Sequence, residues 1–368
     1  MTVMEQTRRA WILQRCDSVK AAAIVAGTAL TLSSPPTASA STTTTVSSSP
    51  QPPRPPIPGL QAPLQPYTIG DNSSNINDGL MQPQTDFGKK RLLAQELSAL
   101  SSSSIGPFAD QELYYPSFLF GSWKTTATLV RKVYPYGPSY VPSNSLIDGS
   151  PRNRNEQPGS TTSYETHYFS TLANDAANRL TVTLGTGVPK SRVIADRAYN
   201  AVAISRAYRQ LTPVQQVEWD PSKDPTRLTL NFGAGPVADD MRPLGPRRGE
   251  VYIRSRQSET QDDVYSCSEL SRSVTLAAGS VVVSDTESIT EFRRVDNDHV
   301  RARNRIAVYL TPNPNSREGV LWQQVGGKAV AFFDYDIDMK RQREPFVMDG
   351  TTIDKACVET PKGYTQCE

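Results

Sequence analysis

Three aspartates alternate with apolar residues in the run FFDYDIDM. An extended backbone therefore sets Asp334, Asp336 and Asp338 on one face and Phe333, Tyr335, Ile337 and Met339 on the other. Carboxylates so spaced suggest a bound divalent cation. At about 3.4 Å of rise per residue, however, neighbours on that face stand about 7 Å apart. Three of them cannot close on one calcium through bonds of about 2.4 Å. The glycine and distal glutamate of a calcium loop are also missing. The expectation is a solvated strand face with no metal. The run HVRARNRIAVYL offers it a complement, because Arg301, Arg303 and Arg305 also share a face. Antiparallel pairing would put Arg301 opposite Asp338, Arg303 opposite Asp336 and Arg305 opposite Asp334, a cross-strand ion ladder. Exposed pairs of this kind contribute little individually.

The remaining chemistry is sparse. His167 and His299 are the only histidines, and both read as ordinary surface residues. Glu112, Glu165 and Glu291 have the chemistry of general acids, but no nucleophile, base and oxyanion donor can be assembled around them. The chain has no G-x-S-x-G, no phosphate-binding glycine loop and no H-E-x-x-H, while GTG at Gly185–Gly187 and GAG at Gly233–Gly235 read as turns. No catalytic residue and no cofactor is indicated. Cys357 and Cys367 bracket VETPKGYTQ, where Pro361 and Gly363 let the chain return. A disulfide there is expected to stabilise by about 3 kcal/mol on loop entropy. Cys267 then stays unpaired or competes for the tail, and Cys16 lies in the leader.

The elements that must carry these residues begin well inside the chain. Its 368 residues, formal net charge of +2 and 37% hydrophobic content suit one large domain or two ordinary ones. The near-neutral balance argues against a nucleic-acid binder. No apolar run approaches the roughly 18 residues of a membrane-spanning helix. Residues 1–40 have the layout of an export signal: a basic region with Arg8, Arg9, Arg15 and Lys20, the apolar run AAAIVAGTALTL, and ASA from Ala38 to Ala40. Arg8 and Arg9 ahead of an alanine-rich segment resemble a twin-arginine signal. Residues 41–110 are rich in Ser, Thr and Pro, too poor in apolar surface to offset ordering entropy, so the N-terminal region is expected to be disordered. Within it Leu93, Leu97 and Leu100 fall on one helical stripe, which predicts a short helix near 88–100.

Residues 111–341 read as a β domain and 342–368 as a C-terminal tail. Runs rich in Val, Thr, Tyr and Phe recur between Gly, Pro, Asn and Asp: Leu119–Tyr134, Thr161–Ser170, Arg179–Leu184, Arg227–Phe232, Glu250–Gln257, Val264–Leu270, Val274–Val283, Ser288–Val295, Val300–Thr311, Val320–Val325 and Ala329–Met339. Many short strands with few helical stretches predict an all-β, mainly antiparallel sandwich or barrel. Gly326-Gly327 reads as a hairpin turn pairing Val320–Val325 with Lys328–Phe333, and Asp296–His299 as a turn between adjacent runs. AVAISRAYRQL, with Ala201, Ile204, Tyr208 and Leu211 on one face, predicts a helix covering an edge or mouth, preceded by an extended VIADRAYN.

In FLFGSWKTT, Gly121 and Trp123 open the first clear strand. This G-x-W resembles the start of a lipocalin-like (calycin) β-barrel, where the tryptophan seals the closed end and an arginine stacks on it; Arg341 is the nearest match for that partner. The wider blocks YYPSFLFGSWKTTATLV, ADRAYN, PNPNSREGVLWQQ and FFDYD are similar to an uncharacterised domain family of cyanobacterial and plastid proteins over residues 112–341. The resemblance implies a thylakoid-associated or lumenal setting and assigns no activity; a periplasmic or other exported compartment is the alternative. The calycin resemblance implies a non-enzymatic barrel that holds a small apolar, pigment- or lipid-like ligand. The inward-facing candidates are Trp123, Ala127, Leu129, Phe333, Tyr335 and Ile337, with Tyr208 over the mouth. The alternatives are an assembly factor for a photosynthetic membrane complex and an enzyme of unknown reaction.

Overall fold

The computed structural model describes residues 66–70, 80–99, 112–142, 145–148, 157–173, 176–185, 187–208, 214–237, 243–244, 246–277, 280–313, 316–348 and 351–368. The leader with Arg8, Arg9, Ala38 and Ala40, the proline-rich stretch, Leu100 and Leu211 lie outside them. In chain order the strands are β1 (Tyr67–Gly70), β2 (Gly121–Tyr134), β3 (Thr161–Leu172), β4 (Ser191–Ala195), β5 (Val214–Glu218), β6 (Arg227–Phe232), β7 (Gly235–Val237) and β8 (Pro243–Leu244). They continue as β9 (Arg247–Gln261), β10 (Val264–Ala277), β11 (Ser280–Arg294), β12 (His299–Tyr309), β13 (Ala329–Arg341), β14 (Arg343–Met348), β15 (Thr351–Glu359) and β16 (Thr365–Cys367). The helices are α1 (Asp86–Leu92), α2 (Ser145–Asp148), α3 (Ala176–Leu184), α4 (Arg197–Ala207) and α5 (Arg317–Val325).

Alternating side chains force the main strands into one antiparallel sheet of eleven, ordered β4-β3-β2-β13-β12-β11-β10-β9-β6-β5, with β1 extending the edge of β2 beyond β3. The fold is thus all-β and barrel-like, as the strand pattern predicts. It is a curled half-barrel rather than a closed one, because β4 and β5 do not pair. Helix α4 spans the gap. Asn200 exchanges hydrogen bonds with the His167 backbone of β3 (2.8 and 3.1 Å), and Ser205 accepts the amide of Val214 at the start of β5 (2.8 Å). The concave side holds the main core, including Trp123, Tyr168, Tyr265, Phe292 and Phe333. The residues after the sheet fold back onto it: β14–β16 form a small antiparallel sheet, and Val358 joins the main core.

Several local expectations are corrected. Val320–Val325 is helical rather than a hairpin strand. Ser316 caps α5 by accepting the Gly319 amide (3.2 Å), Leu321 and Val325 bury one stripe, and Gly326 stops the helix with φ +62°. The glycine pair is therefore a helix stop. Arg179–Leu184 is also helical, within α3, and Val274–Val283 is divided between the end of β10 and the start of β11. Asp196 caps α4 through the Tyr199 amide (2.9 Å), so RAYN of the segment read as extended begins the helix instead. The stripe at Leu93 and Leu97 is not helical, since α1 starts earlier, capped by Thr85, and ends before Leu93.

The Arg301/Asp338, Arg303/Asp336 and Arg305/Asp334 registers are as read from the sequence. The face is not solvated as expected: Arg303, Arg305 and Asp334 are buried. Residues 80–98 lie across it as a strap. At the beginning of α1, Glu291 accepts the amides of Gln84 (2.7 Å) and Thr85 (3.2 Å), and Glu259 accepts that of Phe87 (2.7 Å). Beyond its end, Arg303 donates to the Leu92 carbonyl (3.1 Å) and Arg305 to that of Ala94 (2.6 Å). Anions at the start and cations at the end match the groups a helix leaves unpaired. Gly88 is required here, because a Cβ would stand 2.2 Å from the Glu291 carboxylate. The first rung forms directly, with Asp334 shared by its register partners Arg305 and Arg131 (2.6 Å each), whereas the others slip diagonally: Asp336 takes Arg301 (2.7 Å) and Asp338 takes His299 (2.6 Å).

Candidate ligand-binding cleft

The residues singled out for a ligand lumen sit together, but in solid core. Trp123, Ala127, Leu129, Tyr208, Phe333, Tyr335 and Ile337 are all buried in the concave cluster, and none lines a described cavity. At one end Gly121 takes φ +111°, a conformation costly for any side chain. Trp123 donates its indole N–H to the Leu119 carbonyl (2.9 Å), and the Arg341 guanidinium stands 4.5 Å from its ring centre. Arg341 also donates to the carbonyls of Phe118 (2.7 Å) and Phe120 (2.8 Å). This charged cap closes the end of the half-barrel over Trp123; a smaller cavity of about 240 Å³ lies against its outer side, lined by Phe118, Arg341 and Glu368.

A larger space lies at the unpaired edge. A cleft of about 430 Å³ is lined by the end of β3 (Thr171, Leu172, Ala173), one side of α3 (Asn178, Arg179, Val182, Thr183), Pro189 and Ile194 of the β4 arm, Pro221 and Ser222 of the β5–β6 loop, and Glu112 and Tyr114. Asn178 fixes α3 over this edge: its amide donates to the carbonyls of Ala173 (2.8 Å) and Lys190 (2.7 Å), and its oxygen accepts the Lys190 amide (2.9 Å). Arg192 stacks 4.8 Å above the Tyr114 ring. The lining is mainly apolar with a few polar groups, the usual chemistry of a small-molecule site.

Its deepest polar group belongs to a buried ion network. Arg197, the first residue of α4, donates to both Glu269 oxygens (2.9 and 2.7 Å) and to Oε1 of Glu112 (2.7 Å). Arg256 donates to Glu269 as well (2.8 Å). Burial pushes the Glu269 carboxyl up, but the two guanidiniums outweigh it and hold it below the usual range. The second oxygen of Glu112 is buried and accepts nothing, although the residue lines the cleft. Cys267 stands on the same strand as Glu269; burial, then the Glu269 charge, raises its thiol well above the ordinary value. Such a thiol is a core residue, not a nucleophile. Burial likewise raises the Tyr115, Tyr168 and Tyr265 hydroxyls.

The other titratable candidates have structural partners. Glu291 holds the strap. His167 is buried, correcting its surface reading; its ring stacks 3.5 Å from that of Tyr199 and pairs with Glu165 (3.1 Å). His299 is half-buried against Asp338. Cys357 and Cys367 are joined, and Cys267 is free. Among the described residues no group of three or more His, Cys, Asp or Glu could hold a metal, and no helix is long and apolar enough to cross a membrane. Sequence reasoning missed Arg197, Asn178 and Tyr114, and took Glu112 only as a generic acid. The available signal was Arg197 itself, a cation directly after a helix cap.

No curated protein and no solved structure matches this chain. The family model described as a domain of unknown function (DUF6816) matches residues 107–343, a span that holds every strand from β2 to β13 together with Glu112, Arg197 and the cleft. The protein belongs to the DUF6816 family.

Proposed function

We propose that the chain is a non-enzymatic binding protein that takes a small, mainly apolar molecule into the cleft at the edge of the half-barrel. The observation that carries this reading is a 430 Å³ cleft with largely apolar walls whose lining includes Glu112, a carboxylate with one buried oxygen left without a hydrogen-bond partner. A buried acceptor left unmade is costly, so a ligand hydroxyl or amine that donates to it gains affinity. The Trp123–Arg341 stack supports kinship with calycin barrels. The leader supports export, with the thylakoid lumen as the setting implied by the resemblance to plastid and cyanobacterial proteins.

The test is extraction and native mass spectrometry of protein purified from its own compartment, followed by titration with a fluorescent long-chain alcohol. Bound lipid or pigment, and alcohol binding lost in Val182→Trp, are expected. Val182 lines the cleft and is largely exposed, so this change fills the space without touching the core. Ligand-free protein that ignores the alcohol sinks the proposal and promotes the assembly-factor alternative, which draws on the exposed apolar side chains around α3.

A further inference from the structure

Three arginines from three places in the chain line the cavity of about 240 Å³ outside the Trp123 cap. Arg294 ends β11, Arg341 ends β13 and Arg343 opens β14. Ser117 and Asn297 add polar groups to the lining, and among the described residues Glu368 is the one carboxylate in it. The space shares no lining residue with the cleft. Arg341 is the fixed charge of the set. Its side chain is 9% exposed, and the Phe118 and Phe120 carbonyls hold its terminal nitrogens. Its buried Nε has no hydrogen-bond partner among the described residues. Asp298 stands 3.8 Å from it but is bound more closely by Arg343 (2.7 Å). Arg294 is the least engaged, since its ion-pair partner Asp263 is 3.5 Å away and 66% exposed.

We infer that this cavity binds a small tetrahedral oxyanion, of the chemistry of inorganic phosphate or a phosphate monoester. Guanidiniums pair with phosphate oxygens through charge-assisted hydrogen bonds. Cations brought in by separate strands suit oxygens spread over a tetrahedron better than the two coplanar oxygens of a carboxylate. The volume lies below the roughly 300 Å³ at which sites for drug-sized molecules begin, so a compact anion suits it better than a bulky organic ligand. The acids nearby do not cancel the cations. Asp263 and Asp298 are half or more exposed, where water screens their pairs. Asp262, Asp296, Glu344 and Asp354 are exposed and outside the lining. Burial, reinforced by the charges of Arg343 and Arg294, holds the Arg341 guanidinium below its ordinary value even with Asp298 and Glu368 beside it. An arriving anion supplies the missing counter-charge. Arg294, Arg343 and Asn297 are exposed and free to turn onto it, while Arg341 stays fixed behind them against Trp123.

The experiment is isothermal titration calorimetry of the full chain with sodium phosphate, glycerol phosphate and sodium chloride at constant ionic strength. Saturable binding of phosphate at a single site is expected, with none of chloride. Glycerol phosphate bound at least as tightly as phosphate identifies an ester as the source, and phosphate bound more tightly identifies the free ion; both uphold the inference. Arg294→Gln is expected to weaken phosphate binding at least about tenfold, the loss of one charge-assisted hydrogen bond. Its melting temperature should not change, because the side chain is exposed. Glu368→Gln is expected to strengthen binding, since it removes the carboxylate from the lining; a merely structural role would not produce that gain. Val182→Trp, which fills the cleft, is expected to leave phosphate binding unchanged, so the two sites fail or stand separately. No saturable binding up to about 10 mM phosphate overturns the inference. So does chloride that binds as well as phosphate, or an Arg294→Gln variant that binds phosphate like wild type.

Discussion

Strands β10 to β13 bury both faces, and, apart from Glu269 on the concave side and the small apolar cluster under the strap, the two burials rest on different physics. The concave face carries Tyr265, Phe292, Ala302, Ile306, Phe333 and Ile337, which pack without regard to direction. The convex face carries Glu287, Glu291, Arg303, Arg305 and Asp334, which are equally inaccessible. There the strap supplies amides to the carboxylates and carbonyls to the guanidiniums. Apolar burial gains roughly in proportion to area, so it forgives small changes of shape. Buried charge has lost its hydration and depends on each named partner. Equal burial therefore does not imply equal tolerance.

The sharpest way to break this contrast is Asp334→Asn, which keeps the shape and removes the charge shared by Arg305 and Arg131. It is expected to cost about 3–5 kcal/mol in urea unfolding, as when one partner of a buried ion pair is deleted. A loss well below 1 kcal/mol would show that the strap does not depend on these charges.

A smaller effect follows from acid. Burial pushes the Asp334 carboxyl up, but Arg305 and Arg131 outweigh it and bring it down from 3.8 to about 2. A group depressed in the folded state contributes its stability above its unfolded value and loses it as pH falls through the folded one. The difference in stability between wild type and Asp334→Asn should thus shrink by about 2 kcal/mol between about pH 4 and pH 2. A flat difference across that window contradicts the assignment. The smallest effect belongs to the concave face. Ile337→Leu conserves volume and is expected to cost less than about 1.5 kcal/mol by the same measurement; a cost matching that of Asp334→Asn would erase the distinction.

Legibility in the sequence followed the range of the interactions. Alternation in FFDYDIDM and HVRARNRIAVYL gave the register of β12 with β13, because strand geometry converts spacing into position. Gly121, Trp123 and Arg341 could be named as an end-closing set, although they are far apart in sequence, because the motif is local and its partner is an arginine near the last strand. The strap could not be read, since nothing in QTDFGKKRL reveals that Glu259 and Glu291 are waiting for its amides. Helix α3 was read as a strand because RLTVTL is rich in β-branched residues; tertiary placement, with Asn178 tying it to the β3 and β4 arms, overrode propensity. The cleft was missed for the same reason. It is made where the sheet fails to close, and closure depends on all eleven strands at once.

The strap also orders events in time. The partners on the sheet that hydrogen-bond residues 84–94 lie 172 to 211 residues later in the chain. Synthesis runs from the N-terminus, so residues 84–94 leave the ribosome before the strands that will hold them exist. Until the strap docks, Glu287, Glu291, Arg303 and Arg305 can remain hydrated, and the sheet shows water these charges beside the apolar side chains that Leu92 and Leu97 later cover. Docking of the strap withdraws those charges from solvent, and it can happen only after the strands that receive it have paired.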